Sequence, residues 1–163
     1  TVGSRHSWHA QLYFCFALQM MPDKELIVID TGEAPSPFFS KLKDSRVQYH
    51  WFEGSEQAFS TGMKRSMAIR SATGQFIFHF DDDDLYAPLY LEAMLAGIAN
   101  ACHNSGHEVE FLRLGSYRVL DTQTGVCGLY HQEVEYPQPF TGMERVMSCY
   151  GWGFARIRKG WPP

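Results

Sequence analysis

The sequence predicts an α/β fold: a Rossmann-like, mainly parallel sheet flanked by helices, with an antiparallel hairpin appended. Three observations predict it. Short, continuous apolar runs alternate with stretches of helical periodicity over the first two thirds of the chain. One such run, Gln75 to Phe80, stops abruptly at the aspartates Asp81 to Asp84. The last third then changes to strand-like runs on either side of a Gly-containing turn. Strands alternating with helices imply parallel pairing. Runs without polar alternation suit strands covered on both faces.

Each element has a local reason. His6 to Met21 reads as a helix, with Trp8, Leu12, Cys15, Phe16 and Gln19 on neighbouring turns, and Pro22 stops it. Glu25 to Asp30 is the first recognisable strand. Thr31 to Pro37 is a loop, Phe38 to Lys43 one or two helical turns, and Arg46 to Phe52 an aromatic-rich strand. Thr61-Gly62 opens a helix to about Ala72, with Gly74 as its C-cap. After the strand Gln75 to Phe80, Pro88 suits the first position of a helix. Leu91, Met94, Leu95, Ile98 and Cys102 mark one face of that helix at spacings of three and four. Phe111 to Leu120 and Val126 to His131 flank the turn Asp121 to Gly125, and Tyr150 to Arg158 reads as one more strand. No repeat or linker divides the chain, so residues 1–163 are expected to form a single domain. A full first strand is missing and Trp161-Pro162-Pro163 closes nothing, so a piece of a longer polypeptide is expected.

Composition narrows the function classes. At 45% hydrophobic and 15% aromatic, the chain has material for a core. Its formal charge of −4 argues against a nucleic-acid partner. No apolar stretch is long enough to span a bilayer, and no signal-peptide pattern opens the sequence. Cys15, Cys102, Cys127 and Cys149 are scattered, without CxxC or zinc spacing. That suits free thiols in a reducing compartment, the cytoplasm first. Of the seven histidines only His103 and His107 show a ligand spacing, and Gly106 argues against a helix there. Ser36 and Ser60 lack a nearby base, so a hydrolase is not suggested.

The acidic run carries the chemistry. Carboxylates a few ångströms apart raise one another's pKa unless a cation relieves them. The carboxyl end of a strand in an open α/β sheet is where ligands bind. An all-oxygen donor set favours a hard cation such as Mg²⁺ or Mn²⁺, which can in turn hold a diphosphate. A solvated acidic turn is the other reading of the run taken alone.

Three segments in order sharpen the choice: Glu25 to Asp30 (ELIVID), Thr61 to Gly74 (TGMKRSMAIRSATG) and Gln75 to Pro88 (QFIFHFDDDDLYAP). Together they resemble the family 2 glycosyltransferases of the GT-A fold. That family's pattern is a strand ending in Asp for the nucleotide base, a G-x-x-(A/K)-R-N helix, A-x-G, and a strand ending in D-x-D-D before Pro. Thr1 to Arg5 resembles the remnant of the first strand and its loop, and Gln19 fits the region before the next strand.

The resemblance implies sugar transfer from a nucleotide-diphospho-sugar, a UDP-sugar first, to an acceptor hydroxyl with inversion. It implies a Mn²⁺ or Mg²⁺ cofactor and an acceptor that is a saccharide, lipid or protein. Residues 1–104 would be the nucleotide-sugar-binding half and 105–163 a partial acceptor half. Asp30 would accept a hydrogen bond from the base. Lys64 and Arg65 would lie near the diphosphate, although a solvated helix face also explains them. Asp81 and Asp82 would face the ribose or sugar. Asp83 would ligate the metal, with Asp84 in support.

The departures are specific. Asp30 is followed by Thr31-Gly32 rather than a second Asp, and Ser66 stands where Asn is usual. No Glu-Asp pair for the general base follows residue 88, so the base is expected beyond Pro163, with Glu133, Glu135 and Glu144 as the candidates within the chain. A nucleotide-binding module without turnover and a nucleotidyltransferase remain as alternatives.

Overall fold

A computed structural model describes residues 1–54, 58–131 and 154–157. The chain opens with a 3-10 turn, Gly3–Trp8, that runs into helix α1, His9–Leu18. Gln19 leaves helical space with ψ 131°, so α1 ends three residues short of the expected Met21. Strand β1, Leu26–Gly32, pairs in parallel with β2, Val47–Glu53, in the register Leu26–Val47 through Gly32–Glu53. A single 3-10 turn, Phe39–Lys41, lies in the crossover. On the opposite edge of β1, Val2 forms a parallel bridge with Thr31, and the Thr1 amine donates to the Ile29 carbonyl at 2.9 Å.

Helix α2, Thr61–Ser71, starts where the Ser60 hydroxyl accepts the Met63 N–H, which satisfies one orphan donor of its first turn. Its C-cap is Ala72 rather than Gly74. The Gly74 N–H goes instead to Glu25, whose Oε1 also accepts the Thr73 N–H and hydroxyl. Strand β3, Phe76–Phe78, is shorter than the expected run to Phe80. Helix α3, Tyr90–Ser105, begins two residues after Pro88 and ends at Gly106, whose φ of 66° is the left-handed conformation that glycine adopts without a Cβ penalty.

The remaining strands correct the expectation for the last third. The run Phe111 to Leu120 splits into β4, Phe111–Arg113, and β5, Ser116–Leu120. Only β5 joins the hairpin, pairing antiparallel with β6, Cys127–His131. Strand β7, Phe154–Ile157, lies between β3 and β4 and is antiparallel to both. The described residues therefore form a mixed α/β fold in which parallel pairing is confined to β1, β2 and the Val2 bridge. The continuous, mainly parallel sheet is met only in part, because β3 takes its partner from far along the chain.

Two apolar clusters hold the layers. Leu12 and Phe16 of α1 pack with Leu26, Val28 and Phe39. Leu91, Met94 and Ile98, on the predicted face of α3, pack with Tyr90 and against Phe76, Phe78, Phe80 and Leu112. Full burial of such side chains contributes about 1.5–3 kcal/mol each, enough to anchor α3 under the acidic run.

Gln19 then ties this helix to α1. Its buried amide donates to the Cys15 and Ala87 carbonyls at 3.1 and 2.9 Å, and its Oε1 accepts the Leu91 N–H at 3.1 Å. The Met20 N–H adds a bond to the Pro88 carbonyl. These bonds set where the chain leaving Asp84 can go. Cys15, Cys102 and Cys127 are free thiols, and Cys149 lies outside the described residues. Among the described residues no helix is long and apolar enough to cross a membrane.

Candidate functional site

A cleft of about 1200 Å³ is lined by residues of β1, β3 and α2 together with Thr1, Arg5, Lys64, Arg65 and Asp81 to Asp83. Of the sequence-predicted residues, Lys64, Arg65 and Asp81 to Asp83 line it; Asp30 on β1 does not, nor does Asp84 after β3. The N-terminal turn joins Asp30 to the acidic run: His6 contacts the first and Arg5 the second.

Asp30 is fully buried. Its Oδ2 accepts the Tyr49 hydroxyl at 2.7 Å and lies 3.0 Å from His6 Nε2, while Oδ1 is buried without a partner. Tyr49 in turn accepts the Ser36 N–H at 2.7 Å. Burial, then its bond to the Asp30 carboxylate, pushes the Tyr49 phenol well above its ordinary pKa, so it stays a donor. A buried acceptor left open costs about 1–3 kcal/mol, so Oδ1 is the atom of this site with the most to gain from an incoming donor.

Next to it, His6, His9 and Asp30 place ligand atoms within 4.8 Å of one another. The i, i+3 spacing of His6 and His9 in a helical turn was the signal, and it corrects the expectation that only His103 and His107 share a spacing. The hydrogen bonds argue against a metal here. Ser36 Oγ accepts the Phe38 and Phe39 N–H groups, so its own proton goes to His9 Nδ1 at 2.7 Å. His9 Nε2 then carries the ring proton and donates to Thr1 Oγ1 at 2.8 Å. Burial lowers the His9 pKa to about 4, keeping it neutral with both nitrogens engaged. Ser36 does have an imidazole beside it, contrary to expectation, but it is wholly buried and ties down a turn.

The acidic run is a crowded turn. The Asp81 N–H donates to the Tyr86 hydroxyl at 2.8 Å, and Arg65 donates to Asp81 Oδ1 at 3.1 Å. Asp82, 9% exposed, pairs with Arg5 Nε at 2.7 Å, and the other end of the same guanidinium reaches Asp83, whose side chain is 47% exposed. Lys64 donates to the Thr1 carbonyl at 3.1 Å. Lys64 and Arg65 therefore both engage groups that line the cleft. Glu133, Glu135 and Glu144 lie outside the described residues.

Burial raises the pKa of Asp81 despite Arg65, with Asp83 and Asp82 adding to the rise. Burial, then Asp81 and Asp83, pushes Asp84 up to about 6. A carboxyl raised in the folded state favours folding below its ordinary value of 3.8 and loses that contribution as pH climbs toward 6. Between pH 5 and 7 this opposes the contribution of His9, whose lowered pKa favours folding above its ordinary value of 6.5, so the Asp84 part is read from a variant rather than from the net pH dependence. Asp84→Asn should raise the unfolding midpoint at pH 7 relative to that at pH 5, compared with the unmodified protein. Thermal unfolding midpoints of the two proteins at the two pH values test this; a pH dependence unchanged in the variant would contradict it.

Comparison with known proteins adds no relative: no family model, curated protein or solved structure matches the chain. Sequence reasoning singled out Asp30, Lys64, Arg65 and the acidic run but not His6 and Tyr49, which contact Asp30, nor Arg5 and Tyr86, which contact the acidic run.

Proposed function

We propose that the chain is the donor-binding part of a GT-A-type family 2 glycosyltransferase. It takes a nucleotide-diphospho-sugar, a UDP-sugar first, with Mn²⁺ or Mg²⁺, and passes the sugar to an acceptor hydroxyl with inversion. One observation carries this reading: the unpartnered, buried Asp30 Oδ1 on β1, joined through His6 and Arg5 of the N-terminal turn to the run of carboxylates that follows β3. The first asks for a single N–H donor such as the imide of uracil. The second asks for a hard cation, and its all-oxygen donor set fits one.

Asp83 and Asp84 hold the cation, which supplies neutralisation of the leaving diphosphate when bound. Asp81 and Asp82 orient the ribose and sugar. Lys64 and Arg65 set positive charge beside the diphosphate. His6, 20% exposed over the buried Asp30, moves first as the base enters. In this reading the residues that meet the donor and cation directly lie between Asp30 and Asp84, with the N-terminal turn packed against them.

A thermal-shift panel of UDP, GDP, ADP and UTP, each with and without Mn²⁺, tests the proposal. The largest Mn²⁺-dependent stabilisation is expected for UDP. Preference for the triphosphate would favour a nucleotidyltransferase, and no Mn²⁺-dependent shift with any nucleotide would overturn the reading. Release of UDP from a UDP-sugar separates a transferase from a module that only binds.

A further inference from the structure

We infer that Arg5 is a two-position counter-ion: it sits on Asp82 and Asp83 while the cation is absent and turns to the donor's diphosphate once the cation takes Asp83. The inference rests on the donor reading above and goes beyond it in naming the residue that couples metal to diphosphate.

Geometry comes first. Arg5 Nε is 2.7 Å from Asp82 Oδ1 and another nitrogen of its guanidinium contacts Asp83 Oδ2, so the planar fork bridges two carboxylates. A fork that spans two carboxylates equally suits two phosphate oxygens. Asp83 is also the proposed cation ligand, so guanidinium and cation compete for one side chain.

The neighbours narrow the choice to Arg5. Arg65 is committed to Asp81, and Lys64 to the Thr1 carbonyl. Arg5 is carried on the 3-10 turn Gly3–Trp8, which has no side-chain cap and no buried residue, and its own side chain is 37% exposed. The Asp83 end of the pair reaches solvent while Nε and Asp82 are buried, so it is the Asp83 contact that a divalent ion displaces with little opposition. After the exchange the end of the guanidinium released from Asp83 lies within the same cleft, where the diphosphate is the available anion.

The signature is a pair of effects of opposite sign. Arg5→Met keeps the apolar stem and removes the fork. Titration calorimetry should show Mn²⁺ alone binding about tenfold tighter to this variant, because a competitor worth one charged hydrogen bond is gone. UDP in saturating Mn²⁺ should bind about tenfold weaker, because its partner is gone. Arg5→Lys, which keeps the charge and loses the fork, should fall between the variant and the unmodified protein in both titrations. A variant weakened in both titrations would make Arg5 merely structural, and one that gains on Mn²⁺ without losing UDP would make it a static neutraliser; either result overturns the inference with the donor reading intact. An unmodified protein without UDP affinity in saturating Mn²⁺ overturns both.

Discussion

Asp83→Ala is expected to lower UDP affinity in saturating Mn²⁺ to the level measured in a chelator. Groups that only orient metal ligands are worth about 10–100-fold in affinity, so loss of a ligand itself should reach about a hundredfold or more. Asp83 is the member of the run with nearly half its side chain exposed, and so the one an incoming cation meets. Because that exposure leaves it outside the apolar core, the substitution should hardly change the unfolding midpoint of the cation-free chain. Removing one of several crowded carboxylates also relieves repulsion on Asp84, where the Asp83 charge contributes to the raised pKa. Calorimetric titration with UDP, in Mn²⁺ and in chelator, checks this. Unchanged UDP affinity in Mn²⁺ would remove Asp83 from the site.

Asp30→Ala should weaken UDP by up to about a hundredfold, the equivalent of a buried hydrogen bond worth about 1–3 kcal/mol. It should leave the binding of Mn²⁺ alone nearly unchanged, since Asp30 belongs to the His6–Tyr49 network rather than to the acidic run. The change also leaves the Tyr49 hydroxyl and His6 without their acceptor, so a lower unfolding midpoint is part of the expectation. Asp30→Asn keeps the shape and isolates the recognition effect. Nucleotide competition below the transition temperature reads both. Equal affinity for UDP, GDP and ADP in the unmodified protein would sink the role assigned to Asp30.

The parts of this molecule legible in the sequence are those decided locally. Continuous apolar runs marked β1 and β2, and the three- and four-residue spacing of Leu91, Met94 and Ile98 marked the buried face of α3. The carboxylates of the site were legible for the same reason, since a charged run after an apolar strand is a one-dimensional signal. What escaped was decided at a distance. The pairing of β3 with Phe154–Ile157 joins segments that no periodicity links, and it turned an expected parallel neighbour into an antiparallel one. Pro88 marked the start of α3 by its own preference, but the Met20 N–H holds its carbonyl and the helix begins at Tyr90. Arg5 and Tyr49 were invisible as site residues because their partners, Asp82 and Asp30, lie in separate elements. His6 and His9 were the exception, a turn-spaced pair that could have been read directly.

The central claim is that the run from Asp81 to Asp84 and the Asp30 network serve one ligand through one cation. Thermodynamic linkage tests it directly. If Mn²⁺ and UDP meet in this site, each must strengthen the other by the same factor. Titration calorimetry of UDP with and without Mn²⁺, and of Mn²⁺ with and without UDP, should return one coupling factor of about tenfold or more, lost in Asp83→Ala. UDP binding that is the same in Mn²⁺ and in chelator would contradict the account.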